Sequence, residues 1–418
     1  MARSGNRLNW FIARHYLRSG GGRGLLSFIT WITLGGVTVG VLALNAALAI
    51  MNGMQDEIRS KILESTPHLY VLEYNSSLRL SDYADVLDAV LAMDGVTAAA
   101  PFALSNVGLS RDGYSQPAYI YGIDMDTTRV PVTEMERNII DGVLDLESPE
   151  SGLEPLLVGS VLADRMGLFP GDTMVIIAME NLTVNVMGLP QPAIRQFEVT
   201  GTFTTGMYEY DIGNVYTTLP AAQELLGMAS TDASGIGAQL ERPQDAREIA
   251  EEVKERLGFP YTVDSWVSRN SALFNALQLE KLAIGFVVSL IVLVAGFSIV
   301  GMLVMVVSER TKEIGILRTM GMTQDNIMRV FIMQGVWIGV VGTLAGTVLG
   351  VGMSWAIDRY ELIRIPDGIY FVNHLAARIN PTEISMIALT TMVVAFGATI
   401  YPALRAARME PVDAIRHE

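Results

Sequence analysis

Few residues of this 418-residue chain have the types and spacing that enzymatic chemistry requires. It contains no cysteine, which excludes thiol catalysis, disulfides and thiolate metal ligands. Serine, histidine and aspartate form no nucleophile–base motif, and no Gly-x-x-x-x-Gly-Lys-Ser/Thr loop for nucleotide phosphates occurs. The histidines are scattered, which argues against a histidine metal centre: His15, His68, His374 and His417. We therefore expect a chain that is not an enzyme and binds no cofactor itself.

A compact group of charged residues lies in Ser308–Thr323. Its charges cluster at the start, apolar residues follow, and a glycine ends the run, which predicts a short helix. We expect this helix to lie across a membrane surface and to sense a soluble motor protein; the alternative is an ordinary charged loop. The residues expected to couple to the motor are Glu309, Arg310, Glu313, Gly315, Arg318 and Gly321.

A second candidate is a proline-containing segment between a predicted strand ending near Ala178 and another resuming at Phe197. Its two prolines remove backbone donors, so we expect an extended arm whose end does not pair as an ordinary hairpin. Apolar residues near its end predict contact with a partner protein, unless the loop folds back onto its own sheet. The expected arm residues are Met187, Gly188, Leu189, Pro190, Gln191 and Pro192.

Four long apolar segments must position these candidates. Each matches or exceeds the ~20 residues that cross a bilayer core. The first follows a basic stretch and lacks an evident cleavage site, so we expect it to be retained. The segments are Leu25–Met51, Leu282–Val307, Val330–Ile357 and Ile384–Leu404.

The charges divide sharply along the chain. Residues 52–279 carry 13 basic and 33 acidic residues, a net charge of −20, whereas the rest of the chain has a net charge of +5. The positive-inside rule therefore places both termini and residues 308–328 in the cytoplasm, and the acidic region on the other side. Such an acidic region has the wrong sign for binding nucleic acid.

The acidic region has the pattern of an α+β domain. Two strand–helix–strand units are predicted, the first with a helix at Asp82–Met93 capped by Ser81, and the second with a helix at Asp245–Leu257. They flank a stretch of mostly strand-and-turn sequence, which predicts an inserted β-rich part.

The predicted organisation is therefore an integral membrane protein with four transmembrane helices and a large extracytoplasmic α+β domain between the first two. In residue numbers it comprises a cytoplasmic amphipathic segment (1–24), a first transmembrane helix (25–51), the α+β domain (52–279, with a core of 52–110 and 232–279, and an insert of 111–231 carrying the arm near 180–196), a second transmembrane helix (280–307), the charged cytoplasmic helix (308–328), a third transmembrane helix (329–357), an outer loop (358–382), a fourth transmembrane helix (383–404) and a cytoplasmic tail (405–418).

Small residues mark two faces of the spans. Gly36 and Gly40 in the first span, and Gly342, Gly346 and Gly350 in the third, follow the spacing that permits close helix packing. The first span also contains one polar residue, an asparagine at position 45, for which we expect an interhelical hydrogen bond.

The segment Ser308–Thr323 and the end Tyr401–Arg416 resemble the FtsX/MacB superfamily of ABC permeases. Further motifs are similar to the lipoprotein-releasing permeases of that superfamily, the LolC, LolE and LolF family: Phe28–Thr33, Ile50–Met54, Val158–Asp172, Phe197–Phe203 and Gly206–Asp211.

This resemblance implies a permease subunit that extracts lipoproteins from the outer leaflet of the inner membrane. Its implied partners are two copies of a LolD-like ATPase, which hold ATP and Mg, and a second permease subunit, either LolE-like or a second copy of this chain. A LolA-like periplasmic chaperone would receive the triacylated lipoprotein. The arm falls where C-type permeases carry a chaperone-binding hook, which favours a C-like or combined C/E type.

We expect the lipoprotein to enter laterally beside the first span; ordinary packing positions are the alternative for the residues concerned. The expected groove residues are Val41, Leu44, Leu48 and Met51.

Other functions remain open to a chain of this pattern. Within the superfamily these are force transmission for efflux, as in MacB, or control of cell-wall hydrolases, as in FtsX. MacB-like chains usually carry their own nucleotide domain, and FtsX-like chains have a smaller outer domain. A receptor that binds a ligand without transporting it is the alternative from a different class.

Overall fold

The structure, a computed structural model, describes residues 24–74, 79–111, 113–124, 139–142, 149, 151–184, 190–362 and 375–409. The described residues form two compact units. The helical unit consists of those within Met1–Gln55, Leu277–Ile363 and Leu375–Glu418. The sheet unit contains those within Asp56–Ala276.

The elements follow one another in an order typical of an α+β domain inserted between two long helices. They are α1 (Gly24–Ser65), β1 (Leu69–Glu73), α2 (Tyr83–Leu91), β2 (Val96–Arg111), β3 (Tyr114–Ile123), β4 (Ile139–Gly142), β5 (Glu154–Gly159), α3 (Ser160–Met166), β6 (Thr173–Val184), β7 (Pro190–Phe203), α4 (Tyr208–Gly213), β8 (Asn214–Thr218), α5 (Leu219–Leu226), β9 (Gly235–Leu240), α6 (Ala246–Leu257), β10 (Tyr261–Ser265), α7 (Trp266–Arg269), α8 (Ser271–Glu309), α9 (Thr311–Thr319), α10 (Gln324–Tyr360) and α11 (Pro381–Ala407).

Within the described part of the chain, α1, α8, α10 and α11 are long and apolar enough to cross a membrane, which confirms the four expected spans. All four extend beyond those spans, and α1 and α8 do so by more than ten residues, because α1 continues to Ser65 and α8 begins at Ser271. In the extension of α1, Ile58 and Ile62 are buried one turn apart while Ser60 is exposed. Hydropathy identifies only the lipid-crossing part of a helix. It therefore did not predict the amphipathic extension of α1.

The first and third spans pack closely because α10 presents glycines to α1. A Cβ atom on Gly346 would lie 2.6 Å from the carbonyl oxygen of Thr38 and 2.7 Å from Cβ of Val41. The small-residue interface expected in α10 is therefore confirmed. The glycines that contact α1 in this way are Gly342, Gly346 and Gly350.

The small residues of α1 itself behave differently. Among the described residues, no atom lies within 4 Å of where a Cβ on Gly36 would be. A Cβ on Gly40 would meet side chains of Ile291 and Val292 of α8 at 3.7 and 3.9 Å, an ordinary contact distance, so this pair does not form a second interface as close as that of α10. The buried amide of Asn45 donates to the carbonyl oxygen of Val41 in its own helix, at 2.9 Å. Its Oδ1 has no protein partner among the described residues, so the expected interhelical bond is not formed.

In the sheet unit, the described strands follow the order β10-β1-β9-β2-β3-β8-β5-β7-β4, and β6 pairs with both β2 and β7. Six of them close into a ring, β2-β3-β8-β5-β7-β6 and back to β2. Closure is possible because Val107–Ser110 of the long strand β2 pair with β6 on the edge opposite β3. The resulting barrel encloses a wholly buried apolar core that includes Leu109, Ile120, Leu156, Met174, Ile176 and Phe197.

The rest of the sheet is antiparallel and carries α2 and α6. Both strand–helix–strand units expected from the sequence are present. The first half of β2 pairs with β9, so β2 belongs to the barrel and to this part of the sheet alike. The expected boundary at 110 and 111 therefore falls at the end of a shared strand. The N-cap of α2 is Asp82, in the left-handed conformation and without a side-chain cap, instead of Ser81.

His68 lies at the start of β1 and is 6% exposed. Its Nδ1 accepts a hydrogen bond from the backbone N–H of Leu240 at 2.9 Å, which requires that this nitrogen carries no proton. Burial disfavours the charged ring and lowers the pKa of His68 from 6.5 to about 4. The imidazole of His68 is therefore neutral in the folded sheet unit at neutral pH.

We expect His68 to make the protein less stable in acid. As the pH falls from about 6.5 to about 4, His68 becomes protonated in the unfolded chain but stays neutral in the folded chain. The free energy of unfolding therefore falls by about 2 to 3 kcal/mol. In His68→Asn, the amide oxygen can still accept from Leu240, but nothing titrates. Melting temperatures near pH 7.5 and pH 4.5 should show a smaller acid loss for the variant; equal losses would contradict this account.

We also expect Gly346→Leu to destabilise the helical unit, because its side chain would meet the backbone of α1. Gly352→Leu is the matched control, since no atom lies within 4 Å of a Cβ at that position of the same helix. Melting temperatures of the purified chain in detergent should fall for the first variant only. Equal melting temperatures for both variants would rule out the tight α1–α10 interface.

Candidate functional site: arm, surface helix and first span

The arm expected from the sequence is a hairpin formed by β6 and β7. Their antiparallel pairing extends as far as Val184 and Pro190. The register shifts between Ala178 and Leu182, so residues 179–181 bulge from the ladder. The hairpin thus continues past the part of β6 that pairs with the barrel strand β2.

Both prolines lie within the paired part of β7, so the expectation that they prevent hairpin pairing is wrong. Pro190 is opposite Val184, and Pro192 is opposite Leu182. Backbone nitrogens two residues apart lie on the same edge of a strand. Proline is tolerated at such positions where that edge needs no backbone N–H to donate a hydrogen bond. Gln191 is exposed in β7; the other expected arm residues, Met187, Gly188 and Leu189, lie outside the described residues.

The base of the arm is held against α5. Asn181, in the bulge of β6, donates from Nδ2 to the carbonyl oxygen of Leu225 at 3.0 Å. Arg195 of β7 forms an ion pair with Glu224. Because both strands are tied to the same helix, the direction in which the hairpin leaves the barrel is fixed.

The anchored hairpin carries exposed apolar side chains. Met179, Leu182 and Ile194 are 69%, 60% and 57% exposed, respectively. Leu182 and Ile194 lie within the arm expected near 180–196, and Met179 directly precedes it. Exposed apolar side chains gathered on one element are typical of a surface that binds another protein. None of the three was named as a contact residue from the sequence, because alternation in a strand does not tell which face lacks a core.

A short helix, α9, occupies the charged loop between α8 and α10. Lys312, Ile316 and Met320 recur every fourth residue, so they lie on one face, and all three are exposed. The two apolar side chains, 53% and 79% exposed, were not among the residues expected to couple to a motor. This face combines a positive charge with apolar surface.

Four of the six expected coupling residues are buried or bonded to other residues of this chain. Gly315 is buried, and Arg318 donates to the carbonyl oxygen of Met409, just beyond α11. Arg310 forms an ion pair with Glu313 within the loop. Of the remaining two, Glu309 and Gly321 are exposed at the two ends of the loop.

Most of the expected groove residues of the first span are not accessible in this chain. Val41, Leu44 and Met51 are buried in the helical unit, and Leu48 is half-buried. For Val41 the cause is the glycine interface, because this side chain packs against Gly346 of α10. The alternative of ordinary packing positions therefore describes the buried three.

Apolar side chains are exposed on other faces of the first two spans. On α8 they form a long run, whose most exposed members are 65% to 68% accessible: Leu279, Leu282, Phe286 and Phe297. On α1 the exposed members are Phe28, Trp31, Ile32 and Val39. These faces are more exposed than the predicted one.

Two of the sequence motifs organise turns of the barrel. Asp172 accepts hydrogen bonds from the backbone N–H of Phe169 and from Arg111, both at 2.8 Å. These bonds hold the pKa of the Asp172 carboxyl below its usual value, chiefly through the N–H of Phe169. The buried carboxylate of Asp211 accepts from the hydroxyls of Thr204 and Thr205 and from two backbone N–H groups. Both motifs are therefore structural.

No group of three or more metal-ligating side chains occurs among the residues that the structure describes.

Known proteins are similar to this chain over almost its whole length. A family model described as the MacB-like periplasmic core domain matches residues 30–256, and one described as the FtsX-like permease C-terminal matches residues 285–411. The lipoprotein-releasing system transmembrane protein LolC of Xylella fastidiosa is 30% identical over 99% of this chain and 100% of that protein. LolC of Neisseria meningitidis is 31% identical over 98% of this chain and 99% of its own length. LolE of Haemophilus influenzae is 23% identical over 97% of this chain and 98% of its own length.

Proposed function

The chain belongs to the LolC/LolE family of lipoprotein-releasing transmembrane proteins within the FtsX/MacB superfamily, and from this premise we propose that it is the permease subunit through which lipoproteins leave the inner membrane. It is a multi-pass membrane protein with a periplasmic domain and serves as a non-catalytic subunit of an ABC transporter. The similarity over the full length of LolC proteins is the observation that carries this proposal.

The proposed assembly contains two copies of a LolD-like ATPase, which hold ATP and Mg, and a second permease subunit. That subunit is either LolE-like or a second copy of this chain. Cargo is a triacylated lipoprotein from the outer leaflet, and a LolA-like chaperone receives it in the periplasm. Both termini and α9 face the cytoplasm, a topology supported by the basic excess outside residues 52–279.

The energetics of acyl chains explain why a receiving partner is needed. Burial of a methylene group contributes about 0.8 kcal/mol, so roughly forty methylenes of three acyl chains resist transfer to water by about 30 kcal/mol. Release into solvent is therefore excluded on energetic grounds. Transfer from one apolar surface directly to another avoids most of this cost, which requires the chaperone to be held beside the exit.

The hairpin of β6 and β7 suits the role of chaperone-binding arm. Its base is fixed by Asn181 and Arg195, so a captured chaperone would be held in one orientation. Its exposed Met179, Leu182 and Ile194 supply apolar surface that a partner can cover. This surface extends the expected Met187–Pro192 segment toward the barrel.

The exposed face of α9 suits the role of contact with the ATPase. Ile316 and Met320 can enter an apolar pocket of the motor while Lys312 pairs with an acidic rim. Arg318 fixes α9 to the end of α11, so a push on α9 would be passed to the fourth span. Lipid would then be displaced along the exposed faces of α1 and α8. These faces replace the four groove residues expected from the sequence as the proposed lipid path.

We expect Leu182→Ser together with Ile194→Ser to weaken binding of purified LolA-like chaperone to the transporter at least about tenfold, because burial of each side chain contributes about 1.5 to 3 kcal/mol. ATP hydrolysis by the assembled transporter should stay unchanged. Tyr74→Ser, which removes an exposed side chain directly after β1, is the control. Unaltered chaperone affinity in the double variant would remove the arm from the proposal.

We expect Ile316→Ser together with Met320→Ser to reduce co-purification of the ATPase and lipoprotein release by roughly tenfold, without lowering the melting temperature, since both side chains are exposed. Arg318→Ala should instead lower the melting temperature, because it loses its bond to Met409. Thr319→Ala, an exposed change on the same helix, is the control. Normal ATPase recovery with the double variant would exclude this face as the motor contact.

A further inference from the structure

Three polar side chains from three different spans meet at the end of the helical unit where α1 leaves it. Asn52 lies on α1, Lys281 on α8 and Glu383 in the first turn of α11. Each is bonded to the other two: Lys281 Nζ donates to Asn52 Oδ1 at 2.6 Å and to Glu383 Oε1 at 2.7 Å, and Asn52 Nδ2 donates to Glu383 Oε2 at 2.7 Å. The three side chains form a closed polar ring.

The backbone around this ring is fixed as well. Gly53 has no space for a Cβ because the carbonyl oxygen of Ala376 occupies it. The backbone N–H of Arg378 donates to the carbonyl oxygen of Ala49 at 2.8 Å. The segment before α11 is thus held against α1, and this contact brings Glu383 to Asn52. The ring and the adjacent backbone contact account for the Asn52-Gly53 pair that the sequence motif contains.

Stability alone is a poor explanation for charges at this position. Removing an ion pair from water costs about as much as the pair regains, so apolar side chains of similar size would stabilise the helix ends equally well. A ring of directed hydrogen bonds fixes geometry, because its bonds form in one relative arrangement of the three helices. The side chains of Lys281 and Glu383 remain 31% and 23% exposed, so water can replace a broken bond and the ring can open.

We propose that Asn52, Lys281 and Glu383 form a polar clasp that sets the spacing of α1, α8 and α11, and that they are positioning residues for lipid release. This inference rests on the proposed function, in which acyl chains move along the exposed faces of α1 and α8. The clasp fixes the end of those faces at which the lipid leaves the helical unit. A misplaced α8 would widen that exit, and displaced lipid would slip back.

The chemistry of the ring allows a charge-exchange test. The amide of Asn52 donates to the carboxylate and accepts from the ammonium, and a flipped amide could do the same for exchanged partners. Lys281→Glu combined with Glu383→Lys should therefore rebuild the ring. Restoration should be incomplete, because the first turn of a helix favours an acid at position 383.

Spin labels can report on the clasp directly, since the chain has no cysteine of its own. Leu282→Cys and Met386→Cys place labels on exposed positions of α8 and α11, beside Lys281 and Glu383. In the full chain in lipid nanodiscs, the distance distribution should be narrow. It should broaden in Lys281→Met, in Glu383→Gln and in each single charge reversal, and narrow again in the double exchange. Lipoprotein released per ATP hydrolysed should fall roughly tenfold in the broadened variants and recover in the same order.

The two readouts separate this inference from the proposed function. The label distances need neither motor nor lipoprotein, so a wild-type transporter that releases no lipoprotein would refute the function and leave the clasp standing. The clasp itself is refuted if the single variants keep a narrow distribution, or if the double exchange is as broad as the single reversals. Normal release from broadened variants would refute its positioning role. Glu383→Gln retains the side-chain shape, so a melting temperature near that of wild type confirms that the comparison is between folded proteins.

Discussion

The close contact between α1 and α10 is the constraint on which the rest of the helical unit depends. Three glycines of α10 let the backbones approach, and Val37, Val41 and Asn45 of α1 fill the space that missing side chains leave. Because residues on a helix have a fixed angular spacing, this contact sets the rotation of α1 about its axis. It decides which face of the first span is buried and which remains for lipid.

The same rotation carries Asn52 and Gly53 to the segment before α11. There the carbonyl oxygen of Ala376 and the carboxylate of Glu383 meet α1, and Lys281 joins from α8. Apolar packing thus holds the middle of the spans, where the surroundings are lipid and not water. Polar bonds hold the end, where the ring can be exposed to water without a large cost. A permease that must move needs this second, reversible kind of contact.

The sheet unit applies a similar division between a fixed base and an exposed working surface. Among the described residues, β6 and β7 pair with other strands of the sheet near their base, and with each other farther out. The hairpin can therefore project, while Asn181 and Arg195 hold it to α5. A rigid base reduces the conformational entropy that the arm itself loses when a partner binds. This is the advantage of an anchored arm over a flexible loop.

The sequence by itself determined the spans, the α+β class and the existence of a helix at Thr311–Thr319, because hydropathy and glycine placement are local properties of a chain. It also located the region of the arm. Only the tertiary structure decided that Val41 is buried, that Arg318 faces Met409 and that Ile316 is exposed. Which side of a helix meets a neighbour depends on residues far away in the chain. Asn52, Lys281 and Glu383 are more than a hundred positions apart at their closest, so no local pattern could have joined them.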